Sequence, residues 1–279
     1  MTWEDIQGRK YPAIGRCIYC GSDGRPDGLH DEHIMPYSLG GHAELQEASC
    51  GSCEKITSYV DGYLSRHIFG EFRAHVGAPS YRKLPSTLSA NVSIGHQETM
   101  QEFLAPDQPF ALMLPVWDLP GIMRGDQPRP DFPSCRVRAY NFMPPNFRET
   151  LGLADDAPDP MVHIPSGTIN NITFARAIAK IAYCHAVAKY GLNGFRHLAL
   201  PDIILGKYSC VPYFVGSDPG PPTPRDPSDR RHAVIFATAT SPGGLRLMIA
   251  AVRLLAHSGT SEHGMPIYRV VMGAPRLSL

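Results

Sequence analysis

Two cysteine pairs, Cys17-x-x-Cys20 and Cys50-x-x-Cys53, enclose the segment Asp31-Glu32-His33-Ile34-Met35-Pro36, which sets an imidazole beside acids. A C-x-x-C turn brings two sulfurs close enough to share one metal. Two such turns supply the four thiolates that a structural zinc prefers. Twenty-nine residues, Gly21 to Ser49, separate the pairs and leave room for a hairpin carrying Glu32 and His33. Gly21 and Gly51 suit the tight turns of metal knuckles. The expectation is one Zn2+ on Cys17, Cys20, Cys50 and Cys53. The alternative is two disulfides, which need an oxidising compartment. Met1-Thr2-Trp3-Glu4-Asp5 lacks the basic start and apolar stretch of an export signal, so a reducing, cytoplasmic setting is expected. Cys135, Cys184 and Cys210 stand singly and read as ordinary thiols.

The elements that must position these groups follow from pattern. Leu29 to Pro36 reads as a strand, ended by Pro36, Ser38 and Gly40-Gly41. Leu45 to Ser49 reads as a second strand leading into the second knuckle. From Cys53 to about Ile68, apolar residues recur at three- and four-residue steps, as in a helix. Glu54 would then lie in the first turn of that helix, facing the hairpin. Asp31 is an alternative to Glu32 as a ligand, because neighbours on a strand face opposite sides. His30, His42, His67 and His75 read as surface or packing residues.

This order resembles the HNH nuclease superfamily, the ββα-metal fold, in its four-cysteine zinc subclass. The resemblance rests on Asp31-Glu32-His33-Ile34-x-Pro36, Leu39-Gly40-Gly41 and Ala48-Ser49-Cys50-x-x-Cys53, and covers roughly residues 15–75. It implies that His33 is the general base and that Glu32 binds a catalytic Mg2+ or Mn2+. The position after the last cysteine, usually asparagine or histidine, is Glu54, a harder ligand for such an ion. The family's orienting asparagine before the second knuckle is absent. Gln46 or His42 would have to take its place. A divalent ion on Glu32 and Glu54 would neutralise the phosphate, while a neutral His33 takes a proton from water. The implied activity is endonuclease hydrolysis of DNA in preference to RNA, leaving a 5′-phosphate and a 3′-hydroxyl. The alternative is an inactive zinc-stabilised module that binds nucleic acid or protein.

Charge divides unevenly. The chain has 26 basic and 26 acidic residues, but residues 1–75 hold seven of the former and eleven of the latter. Grip on a polyanion would therefore come mainly from residues 76–279, where Arg225, Arg230 and Arg231 lie near a proline-rich loop and Arg246, Arg253 and Arg269 lie on expected strands. No 18-residue uncharged apolar stretch appears, so no membrane span is expected.

The fold class expected is α+β: an N-terminal ββα-metal zinc module, residues 1–75, then a mostly antiparallel sheet domain with one long helix, residues 76–279. The helix spans Phe174 to Tyr190, with Phe174, Ile178, Ile181, Cys184 or His185, and Ala188 on one face, capped by Asn171 or Thr173 and ended by Gly191. His185 reads as a packed histidine. Strands are expected at Val92–Ile94, Phe110–Leu114, Cys135–Tyr140, His232–Thr240, Leu245–Leu255 and Ile267–Met272, with a hairpin turn at Ser241-Pro242-Gly243-Gly244. Size and charge assign this second part to target or partner recognition, or to a homodimer.

Overall fold

The computed structural model describes residues 4–5, 10–75, 78, 85–144, 146–163, 168–218, 232–254 and 265–276. The N-terminal part contains β1 (Glu4–Asp5), β2 (Lys10–Tyr11), β3 (Leu29–His33), β4 (Glu44–Cys50) and α1 (Gly51–Tyr63). β3 and β4 pair antiparallel, with Glu32 opposite Leu45 and His33 opposite Glu44. β2 joins β4 in parallel and sets Lys10 beside Glu44. The register shifts between His30 and Glu32.

β3 stops at His33 rather than Pro36, because Tyr37–Leu39 form a 3-10 turn. Gly41 packs so tightly that a Cβ there would lie 2.1 Å from the Met35 carbonyl oxygen. A side chain at this point would push the turn off the strand. Gly21 takes the left-handed conformation, φ 78, expected of a knuckle. Gly51 does not: it opens α1, with Cys50 as its N-cap. The helix passes through a π segment, Leu64–Ile68, into α2 (Gly70–His75).

The rest is mixed helix and sheet. β5 (Thr87–Ile94) lies between β6 (Gln97–Leu104) and β9 (Met161–His163), and β7 (Phe110–Trp117) pairs with β8 (Cys135–Phe142). Short helices α3 (Gly121–Arg124) and α4 (Phe147–Thr150) precede the long α5 (Asn171–Tyr190). β10 (Phe195–His197), β11 (Val215–Asp218), β12 (His232–Thr240), β13 (Arg246–Leu254) and β14 (Ile267–Pro275) build the main sheet, in the order β1-β12-β13-β14-β10, with β11 also on β14. Every pairing in it is antiparallel. The Ser241–Gly244 turn forms, closed by Ser241 N–H to the Leu245 carbonyl at 2.9 Å. β6 escapes a pattern reading, because Gln97, Glu98, Thr99, Gln101 and Glu102 give it little apolar alternation.

α5 begins three residues before Phe174, and its cap is Asn170, whose Oδ1 accepts from Thr173 N–H at 2.9 Å. Gly191 ends it at φ 70. One apolar face was expected, yet α5 is buried nearly all round, between α1 on one side and β13 and β14 on the other. Ala175, Ala177, Ala179, Ala182 and Ala186 let it fit between two layers. His185 is packed, stacked on Phe236 with ring centroids 5.6 Å apart. A single hydrophobic cluster runs from Cys17, Ile34 and Val60 through α5 to Val270 and Met272, so residues on both sides of position 75 share one core.

Candidate functional site

The four cysteines meet. Cys17 and Cys20 lie on a turn closed by Gly21 N–H to the Cys17 carbonyl at 2.9 Å. Cys50 ends β4, and Cys53 sits in the first turn of α1. All four sulfurs lie within 4.8 Å of one another, and none is in a disulfide. Tetrahedral zinc with Zn–S bonds of about 2.3 Å needs sulfurs about 3.8 Å apart, so the set fits a zinc ion. Burial disfavours a thiolate at Cys50, but the Cys53 N–H and neighbouring thiols outweigh it and bring that thiol down to about 7. Among the described residues this is the only group of three or more His, Cys, Asp or Glu side chains close enough to hold a metal.

His33 lies at the end of β3, with its side chain 27% exposed. Its Nε2 is 3.1 Å from Glu44 Oε1, and the other oxygen of Glu44 is 3.0 Å from Lys10 Nζ. Glu44 lies directly across the ladder from His33. A carboxylate on Nε2 keeps the proton there and leaves Nδ1 as the acceptor. Burial lowers the pKa of His33, aided by Lys180 and opposed by Glu44, Glu32 and Asp31. The ring is neutral at pH 7.

The acids expected to hold a catalytic ion have other partners. Glu54 Oε2 is 3.3 Å from His30 Nδ1, and both side chains are about two-fifths exposed. Asp31 accepts from Glu47 N–H at 3.0 Å and ties the bulged strand together. Glu32 is buried: its Oε2 accepts from Thr57 Oγ1 at 3.3 Å, and its Oε1 is 3.0 Å from Lys180 Nζ. Lys180, itself fully buried on α5, also donates to Asp61 Oδ2 at 2.8 Å and to the His33 carbonyl. An ammonium has three protons, and here all three are used.

Two carboxylates thus face one ammonium. Burial would lower the pKa of Lys180, but Asp61 and Glu32 overcome it and hold the group charged. Burial pushes Asp61 up to about 6 against the pull of Lys180, and Glu32 adds to the rise. Asp61 Oδ1 is buried with no hydrogen-bond partner among the described residues.

The chain's residues do not fit a catalytic divalent ion on Glu32 and Glu54. One of these carboxylates is sealed against a buried lysine and the other lies on an exposed histidine. Sequence reasoning missed Lys180, Asp61 and Glu44. A lone lysine in Ile178-Ala179-Lys180-Ile181-Ala182 was the available signal for the first.

Of the arginines considered for backbone contact, Arg269 is tied to Asp218 at 2.7 Å, while Arg225, Arg230 and Arg231 lie outside the described residues. No described helix is long and apolar enough to cross a membrane.

Residues 17–69 match the family model described as HNH endonuclease. The match holds both cysteine pairs, Glu32, His33 and all of α1. Neither the curated proteins nor the solved structures provide a match to the chain.

Proposed function

We propose that residues 17–69 are a zinc-clamped HNH-type module that binds nucleic acid, DNA in preference to RNA, and has lost divalent-ion hydrolysis. The observation that carries this reading is the buried Glu32–Lys180 pair: the acid that should face a catalytic cation already has an internal one. Zinc bound to Cys17, Cys20, Cys50 and Cys53 would fasten the first knuckle to the junction of β4 and α1 and so fix the hairpin. His33 is left partly open, neutral and oriented by Glu44. It offers an acceptor at Nδ1, while the neighbouring Glu32 already spends its charge on Lys180. Exposed Arg16, Lys55 and Arg66 supply backbone contacts on the module. The remainder of the chain recognises the target or a partner, or pairs two copies.

A second reading, an active endonuclease using Mg2+ or Mn2+ on Glu32 and Glu54, is favoured by one observation: the His33–Glu44 pair has the build of a general base with its orienting acid. One experiment separates the two. Full-length protein is incubated with supercoiled plasmid, single-stranded DNA and RNA, in Mg2+, Mn2+ or chelator, with gel shifts on the same samples. The proposal expects salt-sensitive binding and intact plasmid. Nicking that needs the divalent ion and disappears in His33→Ala would install the second reading.

A further inference from the structure

We infer that Lys180 stands in the place of a divalent cation: Glu32, Asp61 and the His33 carbonyl form a cation site that the chain fills with its own ammonium, and that accepts a divalent ion once Lys180 is removed. This rests on the reading above that the module carries no hydrolytic ion, and it names what took the ion's position. The oxygens are of the right kind, two carboxylates and a backbone carbonyl, the ligand chemistry of Mg2+, Ca2+ and Mn2+. They converge from two elements, β3 and α1, on one point, with Glu32 Oε1 at 3.0 Å and Asp61 Oδ2 at 2.8 Å from Nζ, and the carbonyl of the expected base in contact as well.

Charge points the same way. Two carboxylates carry one more negative charge than an ammonium cancels, and Asp61 Oδ1 is buried with no hydrogen-bond partner among the described residues. A doubly charged ion would balance both acids. Thr57 Oγ1 lies 3.3 Å from the far oxygen of Glu32 and shares its one proton between that oxygen and the Glu54 carbonyl at 3.2 Å, so the carboxylate has a protein contact on the side away from the cation. Lys180 is the one lysine or arginine among the buried residues of α5, and its side chain is 0% exposed. It has no path to a substrate phosphate and no spare proton to offer one. Its part is internal: it fills the site.

The test uses full-length, zinc-loaded protein titrated with Mn2+, an oxygen-seeking ion that does not displace zinc from thiolates. Imidazole NMR signals of His33 are followed for paramagnetic broadening, together with thermal denaturation. Wild type is expected to show no selective broadening at His33 and no Mn2+-dependent rise in Tm. Lys180→Ala is expected to show both near one Mn2+ per chain, and Lys180→Ala with Glu32→Gln neither. If Lys180→Ala is unfolded without ions, Mn2+ is expected to fold it. Wild-type His33 signals that broaden in a Glu32-dependent way would overturn the inference. So would a Lys180→Ala protein, folded or not, that fails to respond to Mn2+. DNA binding by the wild type is scored separately. Its absence would remove the nucleic-acid reading and leave the Mn2+ result standing.

Discussion

His33 Nε2 and Glu44 Oε1 lie 3.1 Å apart on directly opposed positions of the β3–β4 ladder. The pair is set by strand register, so it needs no loop to hold it. Glu44 raises the pKa of His33, against burial, which lowers it. Glu44→Gln should therefore lower the His33 midpoint further, as read from the imidazole proton shifts. A midpoint that rises would mean that Glu44 does not face the ring.

The same shift has a stability consequence. The folded-state pKa of His33 lies below its unfolded value, so on acidification the unfolded chain takes up this proton first. The contribution of neutral His33 is present above the usual histidine range and is lost as pH falls through it. His33→Phe, which cannot titrate, should lose less stability than wild type between pH 7 and pH 5 in urea unfolding.

Lys180→Ala leaves the buried Glu32 and the partly buried Asp61 without a counter-charge. Breaking such a pair from one side costs about 3–5 kcal/mol. Lys180→Met combined with Glu32→Gln and Asp61→Asn removes every charge together and should recover most of that loss. Equal stability of the single and triple variants in denaturant titrations would show that burial of charge is not what makes Lys180 matter.

Asp61 titrates at about 6 in the folded protein, above its ordinary value of 3.8. Between these two pH values the folded state holds more protons than the unfolded, so this group costs stability as pH rises through the window and is constant above it. Asp61→Asn should gain on wild type by on the order of 2 kcal/mol from pH 4 to pH 7. A constant difference across that range would place the Asp61 carboxyl in a wetter setting than the structure gives it.

Cys53→Ser should reduce bound zinc from one per chain to none after mild chelation, as measured by metal analysis. Loss of the ion also releases the junction of β4 and α1. A fall in Tm of roughly 10 °C is expected, since about 3–4 kcal/mol corresponds to that shift in a chain of this size. Unchanged zinc content would remove Cys53 from the ligand set.

The cysteine cluster and the hairpin were legible because their signals are local: two short cysteine spacings, one proline and paired glycines. The main sheet was legible from its apolar runs, with His232–Thr240 found to the residue. What stayed hidden is long-range. Nothing in Glu32 or its neighbours announces a partner on α5, and the apolar run around Lys180 reads as a one-faced helix until the layer on its other side is known. The Glu44 contact was hidden for a different reason. It depends on a register shift at the β3 bulge, which pattern does not report. β6 was lost because polar strands carry no periodic mark.

α5 closes the floor of the N-terminal module with a side chain that belongs to the distant half of the protein. The module is therefore no interchangeable cassette. Grafted onto another body, or cut away after α2, it would keep its four cysteines and its imidazole but leave Glu32 and Asp61 without their ammonium. Any lineage that exchanged one half of this chain would have to change the other in the same step.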